Sequence, residues 1–159
     1  MKKFCLLLLV LFLTLSSVSG ADSVSTILQA RITELLTITT TMTATTTVDV
    51  FNTSTTILGF VNLFSNRVGG WTITVTSSNN GSLRGVSTGN PDTYPYTLSF
   101  GAERGINLQS PYVMDMSGQT SGDGLSFQLS IDYQNFYNLA TPVSPDTYRD
   151  TLTVTIAAA

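Results

Sequence analysis

The chain lacks most of the side chains on which common catalytic and metal sites depend. Its 159 residues include no histidine, a single cysteine at Cys5, and no lysine beyond Lys2 and Lys3. After Cys5, therefore, no Ser-His-Asp, Cys-His or Ser-Lys arrangement and no thiolate or imidazole zinc site can form. A disulfide within the chain is also excluded, so packing or a partner must hold the fold. We expect no enzyme activity, no cofactor and no metal.

Charge is scarce as well. Asp, Glu, Lys and Arg make up 11% of the residues, and the formal net charge is −3. Beyond Lys3 the only cations are dispersed arginines: Arg31, Arg67, Arg84, Arg104 and Arg149. Nucleic-acid binding requires clustered cations that displace counterions. We therefore expect no nucleic-acid partner.

The first residues have the layout of a secretory signal peptide. Lys2 and Lys3 precede the apolar run "CLLLLVLFLTL", and "SSVSG" places Val18 and Gly20 where a signal peptidase reads small residues. We predict a signal over 1–20 with cleavage after Gly20, which also removes Cys5. The apolar run is shorter than the ~20 residues that span a bilayer. We therefore expect secretion without membrane insertion; a retained anchor is the alternative.

Period-two alternation dominates the rest of the sequence. It is clearest in "WTITVT", "YPYTLSF", "LSFQLSIDY" and "LTVTI", which begin at residues 71, 94, 125 and 152. Such alternation is typical of half-buried antiparallel strands. Segments rich in Gly, Pro, Asn and Asp, such as "SSNNGS" and "STGNPD", separate the runs. The pattern predicts one all-β antiparallel sandwich domain over 34–159.

The segment from Ala21 to Leu58 contains neither glycine nor proline, and its apolar residues keep even numbers for most of its length. A single strand over 24–50 would be roughly 90 Å long, which is too long for a domain of this size. We predict that residues 21–33 form an extended arm. The alternative is two ordinary strands joined by a bend near Thr33–Leu35.

The tract "TITTTMTATTT", residues 37–47, allows two interpretations. Threonine-rich tracts form disordered or glycosylated stalks, but these normally carry proline, and this tract has none. Threonine is β-branched and favours strands. We predict a strand here.

Two pairs of carboxylates are candidates for a catalytic or calcium site. Asp146 and Asp150 lead into the last strand, and Asp115 and Asp123 flank a glycine-rich loop. Paired carboxylates can serve glycoside hydrolysis or bind calcium. Isolated Asp residues beside Gly and Pro are more often turn formers, and we interpret these as turn formers.

Aromatic residues offer a third kind of site, a platform for sugars. Trp71 shares a face with Ile73 and Val75 and is therefore predicted to lie in the core. Phe136 and Tyr137 follow the end of an alternating run and are better candidates for an exposed contact. They support an alternative function, a self-contained secreted β-sandwich that binds carbohydrate or a host surface.

The end of the chain resembles a known family. "TYRDTLTVTI" is similar to the closing strand of spore coat protein U-like and chaperone–usher pilin domains, which share a Tyr-x-Asp-x-(Leu/Val)-x-Val pattern. Tyr148, Asp150, Leu152 and Val154 fit that pattern. Upstream, the stretch from "VDVF" to "SSNNGSL" resembles the pilin order of strand, short connection and strand ending in "SNNG".

The resemblance implies an incomplete immunoglobulin-like, pilin-type sandwich that lacks its last strand. In that family a periplasmic chaperone first fills the gap, an outer-membrane usher assembles the subunits, and the N-terminal extension of the next subunit then replaces the chaperone. The donor residues implied here are Val24, Thr26, Leu28, Ala30 and Ile32. The acceptor groove would be lined by Leu152, Val154 and Ile156. The implied function is a structural subunit of a surface fibre, with a contribution to adhesion, that passes through the periplasm and partners with like subunits.

Overall fold

The structure, a computed structural model, describes residues 25–159, so the predicted signal peptide and Val24 lie outside the described residues. The described part forms ten strands and one 3-10 turn, Phe136–Asn138. The strands are β1 Leu36–Thr40, β2 Thr55–Ser65, β3 Trp71–Ser77, β4 Ser82–Gly85, β5 Thr93–Phe100, β6 Glu103–Ile106, β7 Tyr112–Met116, β8 Leu125–Tyr133, β9 Tyr148–Arg149 and β10 Leu152–Ala158. Within residues 25–159, no helix is long and apolar enough to cross a membrane.

The strands form two antiparallel sheets. The larger, of seven strands, has the order β1-β2-β8-β5-β4-β9, with β6 also paired to β5. The smaller, of three strands, has the order β10-β3-β7. The predicted all-β, sandwich-like fold is confirmed at this level.

The core lies on the inward faces of the two sheets, because every second residue of a strand points the same way. All four alternating runs noted above fall in strands, namely β3, β5, β8 and β10. The most buried side chains come from the central strands: Val61, Leu63, Trp71, Ile73, Val75, Leu98, Phe100 and Leu129. Trp71 is 1% exposed, and its indole N–H donates to the Gly118 carbonyl at 3.0 Å. Its predicted place in the core is confirmed.

The threonine-rich tract is a strand only as far as Thr40, so the prediction of a strand over all of 37–47 is wrong. Facing it, β2 has a bulge between Ile57 and Gly59, and Gly59 has φ 138°. A Cβ on Gly59 would lie 3.0 Å from the Met42 backbone nitrogen, so the chain crosses β2 closely at this point. At the end of β1 the threonine hydroxyls bond the backbone instead: Thr40 Oγ1 accepts from the Met42 N–H at 2.9 Å.

Chain contacts divide the molecule into two units, 1–32 and 33–159. Of the first unit, residues 25–32 are described, and they contain no strand or helix. The side chains of Ile27, Leu28 and Ile32 are at least 87% exposed. Neither the predicted extended arm nor its alternative of two ordinary strands is settled by this short stretch.

Candidate functional site

Within residues 25–159, five strands, β1, β6, β7, β9 and β10, have one edge without a ladder partner, and two of them, β1 and β10, lie against each other. In this part of the chain β1 pairs only with β2, and β10 pairs only with β3. The two strands contact each other, one from each sheet, without forming a ladder between them. The backbone N–H and C=O groups along these free edges are therefore available to an added strand.

The inward side chains of β10 are less buried than those of the neighbouring strand β3. Val154 lies opposite Val75 and Ile156 lies opposite Ile73 in the antiparallel register. Val75 and Ile73 are 0% exposed, whereas Val154 and Ile156 are only half-buried. Leu152 is half-buried in the same way. The side chains that bury the inward face of β3 therefore do not fully bury the inward face of β10.

The inward face of β1 has the same deficit. Ile38 lies opposite Leu63 in β2, and Ile38 is 38% exposed whereas Leu63 is 1% exposed. Leu36 is half-buried opposite Ser65, which is fully buried. Together, Leu36 and Ile38 of β1 and Leu152, Val154 and Ile156 of β10 form an apolar strip, which we call the edge groove.

A cavity of about 200 Å³ lies at the Leu152 end of this groove. Its apolar lining comes from Met42, Val48, Leu58, Leu83, Ile131 and Leu152. The lining thus joins strands of both sheets to the segment that follows β1. It can accept an apolar side chain that an added strand directs inward.

The groove is narrow where the two strands meet. Cα atoms of β1 and β10 approach within 8 Å. Hydrogen-bonded strands are spaced about 4.7–4.9 Å apart, so a strand paired to both neighbours holds them about 9.5 Å apart. Full insertion therefore requires β1 and β10 to separate where they are closest.

Asp150 fixes the start of β10 to the rest of the sandwich. Its carboxylate accepts hydrogen bonds from Ser77 Oγ and Tyr96 Oη, each at 2.5 Å, and from the Asn79 N–H at 3.0 Å. Burial and then the bond to Asp150 raise the pKa of the Tyr96 phenol, which stays protonated as the donor. Tyr148, the other motif residue, donates to the Ser144 carbonyl at 2.7 Å. Asp150 therefore anchors the start of β10, whereas the Tyr148 bond holds the connection that precedes β9.

The residues just before β1 are held by the connection that follows β2. The Asn66 side chain accepts from the Leu35 N–H at 2.6 Å and donates to the Thr33 carbonyl at 2.9 Å. Beside it, Arg67 forms a 2.5 Å ion pair with Glu34. The backbone of 33–35 is thereby fixed.

Four of the five predicted donor residues are described. Thr26, Leu28, Ala30 and Ile32 lie in the stretch 25–32, where every side chain is exposed and no strand forms. Val24 lies outside the described residues. The apolar side chains of Leu28 and Ile32 are therefore exposed to solvent.

Of the four candidate carboxylates, Asp146 and Asp150 have structural contacts. Asp146 accepts from the Ser87 N–H at 3.0 Å and the Asn90 amide at 2.7 Å, and these hydrogen bonds, the Ser87 backbone bond foremost, lower its pKa to about 2. Asp115 lies in β7, and Asp123 lies in the turn before β8. Among residues 25–159 no three metal-ligating side chains cluster. Asp146 and Asp150 thus support a turn and a strand start, and Asp123 lies in a turn, but the prediction of a turn former is wrong for Asp115, which lies within β7.

Phe136 and Tyr137 lie together on the 3-10 turn that follows β8, and Phe51 joins them. The Phe51 ring centroid is 4.8 Å from Phe136 and 6.0 Å from Tyr137. Tyr137 is 77% exposed and Phe51 is 50% exposed. Sequence reasoning missed Phe51 because it lies 85 residues from Phe136 in a polar turn. It also missed Leu36 and Ile38 as groove residues, although both continue the even-numbered apolar pattern.

Comparison with known proteins adds no family. No protein-family profile matches the sequence, and no curated protein matches it significantly.

Proposed function

We propose that this protein is a secreted structural subunit of a surface fibre, in which the N-terminal arm of one subunit completes the sandwich of the next. The observation that carries the proposal is the edge groove, whose apolar residues, Leu152 apart, remain partly exposed opposite fully buried residues of the neighbouring strands. The fold is then of the incomplete, immunoglobulin-like pilin type. The resemblance of the "TYRDTLTVTI" segment to spore coat protein U-like and pilin domains supports the same conclusion.

The arm has the chemistry that the groove lacks. In an extended strand, Val24, Thr26, Leu28, Ala30 and Ile32 share one face. Burying a Val, Leu or Ile side chain contributes about 1.5–3 kcal/mol, so the three large ones contribute roughly 5–9 kcal/mol before ordering costs. Backbone pairing along the free edges of β1 and β10 adds specificity.

An open groove also implies temporary partners. A free strand edge beside exposed apolar side chains promotes unspecific association between chains. A periplasmic chaperone that covers the groove, and an outer-membrane usher that exchanges the chaperone for the next subunit, meet this need. The predicted signal peptide over 1–20 fits export to the periplasm and then to the cell surface.

Deleting residues 21–32 tests the proposal. The deleted subunit keeps its edge groove but has no arm to donate. Added in small amounts to the intact mature protein, it should occupy fibre ends and shorten the fibres in proportion to its fraction, as measured by electron microscopy and sedimentation. Fibre formation by the deleted subunit alone would contradict the proposal.

A further inference from the structure

The outward face of the larger sheet carries a depression of about 470 Å³, separate from the inward-facing edge groove. Its floor is β5, where Pro95 and Thr97 point away from the core, since Tyr94, Tyr96 and Leu98 point into it. Beside β5 on one side, β4 ends its pairing at Pro95 and β6 begins its own at Leu98. This break in the flanking strands helps to make the surface concave. The volume lies within the range of roughly 300–1,000 Å³ typical of ligand sites.

Neutral polar side chains surround the floor. Asn80 and Ser82 come from the β3–β4 end, and Asn107 and Gln109 follow β6. Within residues 25–159, the side chains of Asn80, Ser82 and Gln109 make no hydrogen bond to the protein, and Asn107 uses only its carbonyl oxygen, which accepts from the Gln109 N–H at 2.9 Å. Amides and hydroxyls can both donate and accept hydrogen bonds. These groups are therefore free to bind a ligand with the same dual character.

The third side of the depression is the end of β8. Asp132 is held in place because its two oxygens accept from Thr55 Oγ1 and Ser99 Oγ, each at 2.7 Å. Among the described residues that line the depression, Asp132 is the only charged one, and none is an arginine. A negatively charged ligand would therefore meet no cation here and one fixed anion. The lining suits a neutral ligand.

The aromatic cluster is linked to this side through Gln134. Gln134 lines the depression, and its amide donates to the Asn138 carbonyl at 2.5 Å. That bond ties the depression to the turn bearing Tyr137, and Asn135 of the same turn donates to the Phe51 carbonyl at 2.7 Å. Exposed aromatic rings offer flat apolar faces against which the C–H face of a sugar ring can pack. The free amides suit the hydroxyl groups of a saccharide, and an exposed aromatic ring suits the C–H face of its ring.

We propose that this outward surface, the depression together with the turn that follows Gln134 and bears Tyr137, is a binding site for neutral glycans. Hydroxyl groups of the glycan bond the amides of Asn107 and Gln109, and Thr97 bonds from the floor. A pyranose ring packs on the exposed Tyr137. The inference does not rest on fibre formation, because the surface lies on the opposite face of the sheet from the edge groove.

The test is an array of immobilised oligosaccharides probed with the intact mature protein. The array pairs neutral hexose and N-acetylhexosamine oligosaccharides with sialylated and sulfated forms of the same chains. The proposal expects binding to neutral members and no gain from acidic groups. Titration with the best neutral oligosaccharide should then show about tenfold weaker affinity for Tyr137→Ala and for the double variant Asn107→Ala, Gln109→Ala, because each removes contacts worth about 1–2 kcal/mol.

Gln128→Ala is the matched control. Gln128 is an amide in the same strand as Asp132, lies outside the lining of the depression and makes no side-chain hydrogen bond within the described residues. The affinity of this variant for the best neutral oligosaccharide should stay within about twofold of that of the unaltered protein. Urea unfolding of each variant confirms that the fold is retained. Absence of neutral-glycan binding, binding carried by the acidic groups, or unchanged affinity in the two lining variants would each overturn the proposal, whether or not the protein forms fibres.

Discussion

Strands β3 and β10 lie side by side with nearly the same sequence pattern, yet they differ in how fully they are covered. Trp71, Ile73 and Val75 of β3 are at most 1% exposed, whereas Val154 and Ile156 of β10 are half-buried. Both strands alternate apolar residues with threonine. The difference therefore arises from position: within residues 25–159, β3 has a paired strand on each side, and β10 has one. Under the proposed function, a second copy of the chain supplies the missing neighbour.

The largest expected effect comes from reversing the chemistry of the arm. Leu28→Asp with Ile32→Asp places two carboxylates on the face that would enter the edge groove. Burying unpaired charges is strongly unfavourable, so assembly should be lost altogether. Sedimentation of the purified mature protein measures this.

The control is a change of equal charge on the other face of the same arm. Ser25→Asp with Gln29→Asp alters odd-numbered positions, which an inserted strand points away from the groove. This variant should still assemble. Equal loss in both pairs would mean that the arm does not act as an inserted strand.

The next largest effect is on the free energy of unfolding when Ile73 or Ile156, which lie opposite each other, is replaced. Ile73→Ala removes a fully buried side chain and should lower the free energy of unfolding by about 2–5 kcal/mol. Ile156→Ala, at the half-buried edge, should cost about half of that or less in the unassembled subunit. Urea unfolding measures both. When the arm peptide 21–33 is bound, the cost of Ile156→Ala should rise while that of Ile73→Ala stays the same.

A smaller effect is expected at the attachment of β10 to its neighbours. Asp150→Asn keeps the size of the side chain but loses the carboxylate that accepts from Ser77, Tyr96 and the Asn79 N–H. The free energy of unfolding should fall by about 1–3 kcal/mol. Tyr148→Phe, which removes only a hydroxyl bonded to an exposed carbonyl, provides the milder comparison. Equal stability of Asp150→Asn and the unaltered protein would mean that Asp150 does not anchor the edge strand.

The smallest expected effect is on how the stability of the fold depends on pH. The pKa of Asp146 is lowered to about 2 by its hydrogen bonds, below the ordinary value of about 3.9 in an unfolded chain. Its stabilisation is therefore complete above about pH 4 and is lost as the pH falls through about 2. Asp146→Asn should flatten part of the decline in Tm between pH 5 and pH 2. A decline as steep as in the unaltered protein would show that Asp146 contributes no pH-dependent stability.

The sequence predicted the strands better than their surroundings. The runs in β3, β5, β8 and β10 could be read directly because alternation reports which way a side chain points. Alternation does not report whether a neighbouring strand covers that side chain. The partial exposure of Ile156 therefore could not be predicted from the sequence. The end of β1 at Thr40 was also missed, because it depends on the bulge at Gly59 and on hydroxyl-to-backbone bonds. The contact of Phe51 with Phe136 needed the folded backbone as well.

Hydrogen exchange at the backbone amides of residues 152–158 tests the central claim most directly. The subunit lacking residues 21–32 is measured alone and with a synthetic peptide of residues 21–33. The account predicts slow exchange at alternate amides that face β3, fast exchange at those on the free edge, and slowing of the second set by about a hundredfold when the peptide binds. Protection of both sets without the peptide, or no change on adding it, would contradict the claim that the edge groove accepts a strand from another copy of this chain.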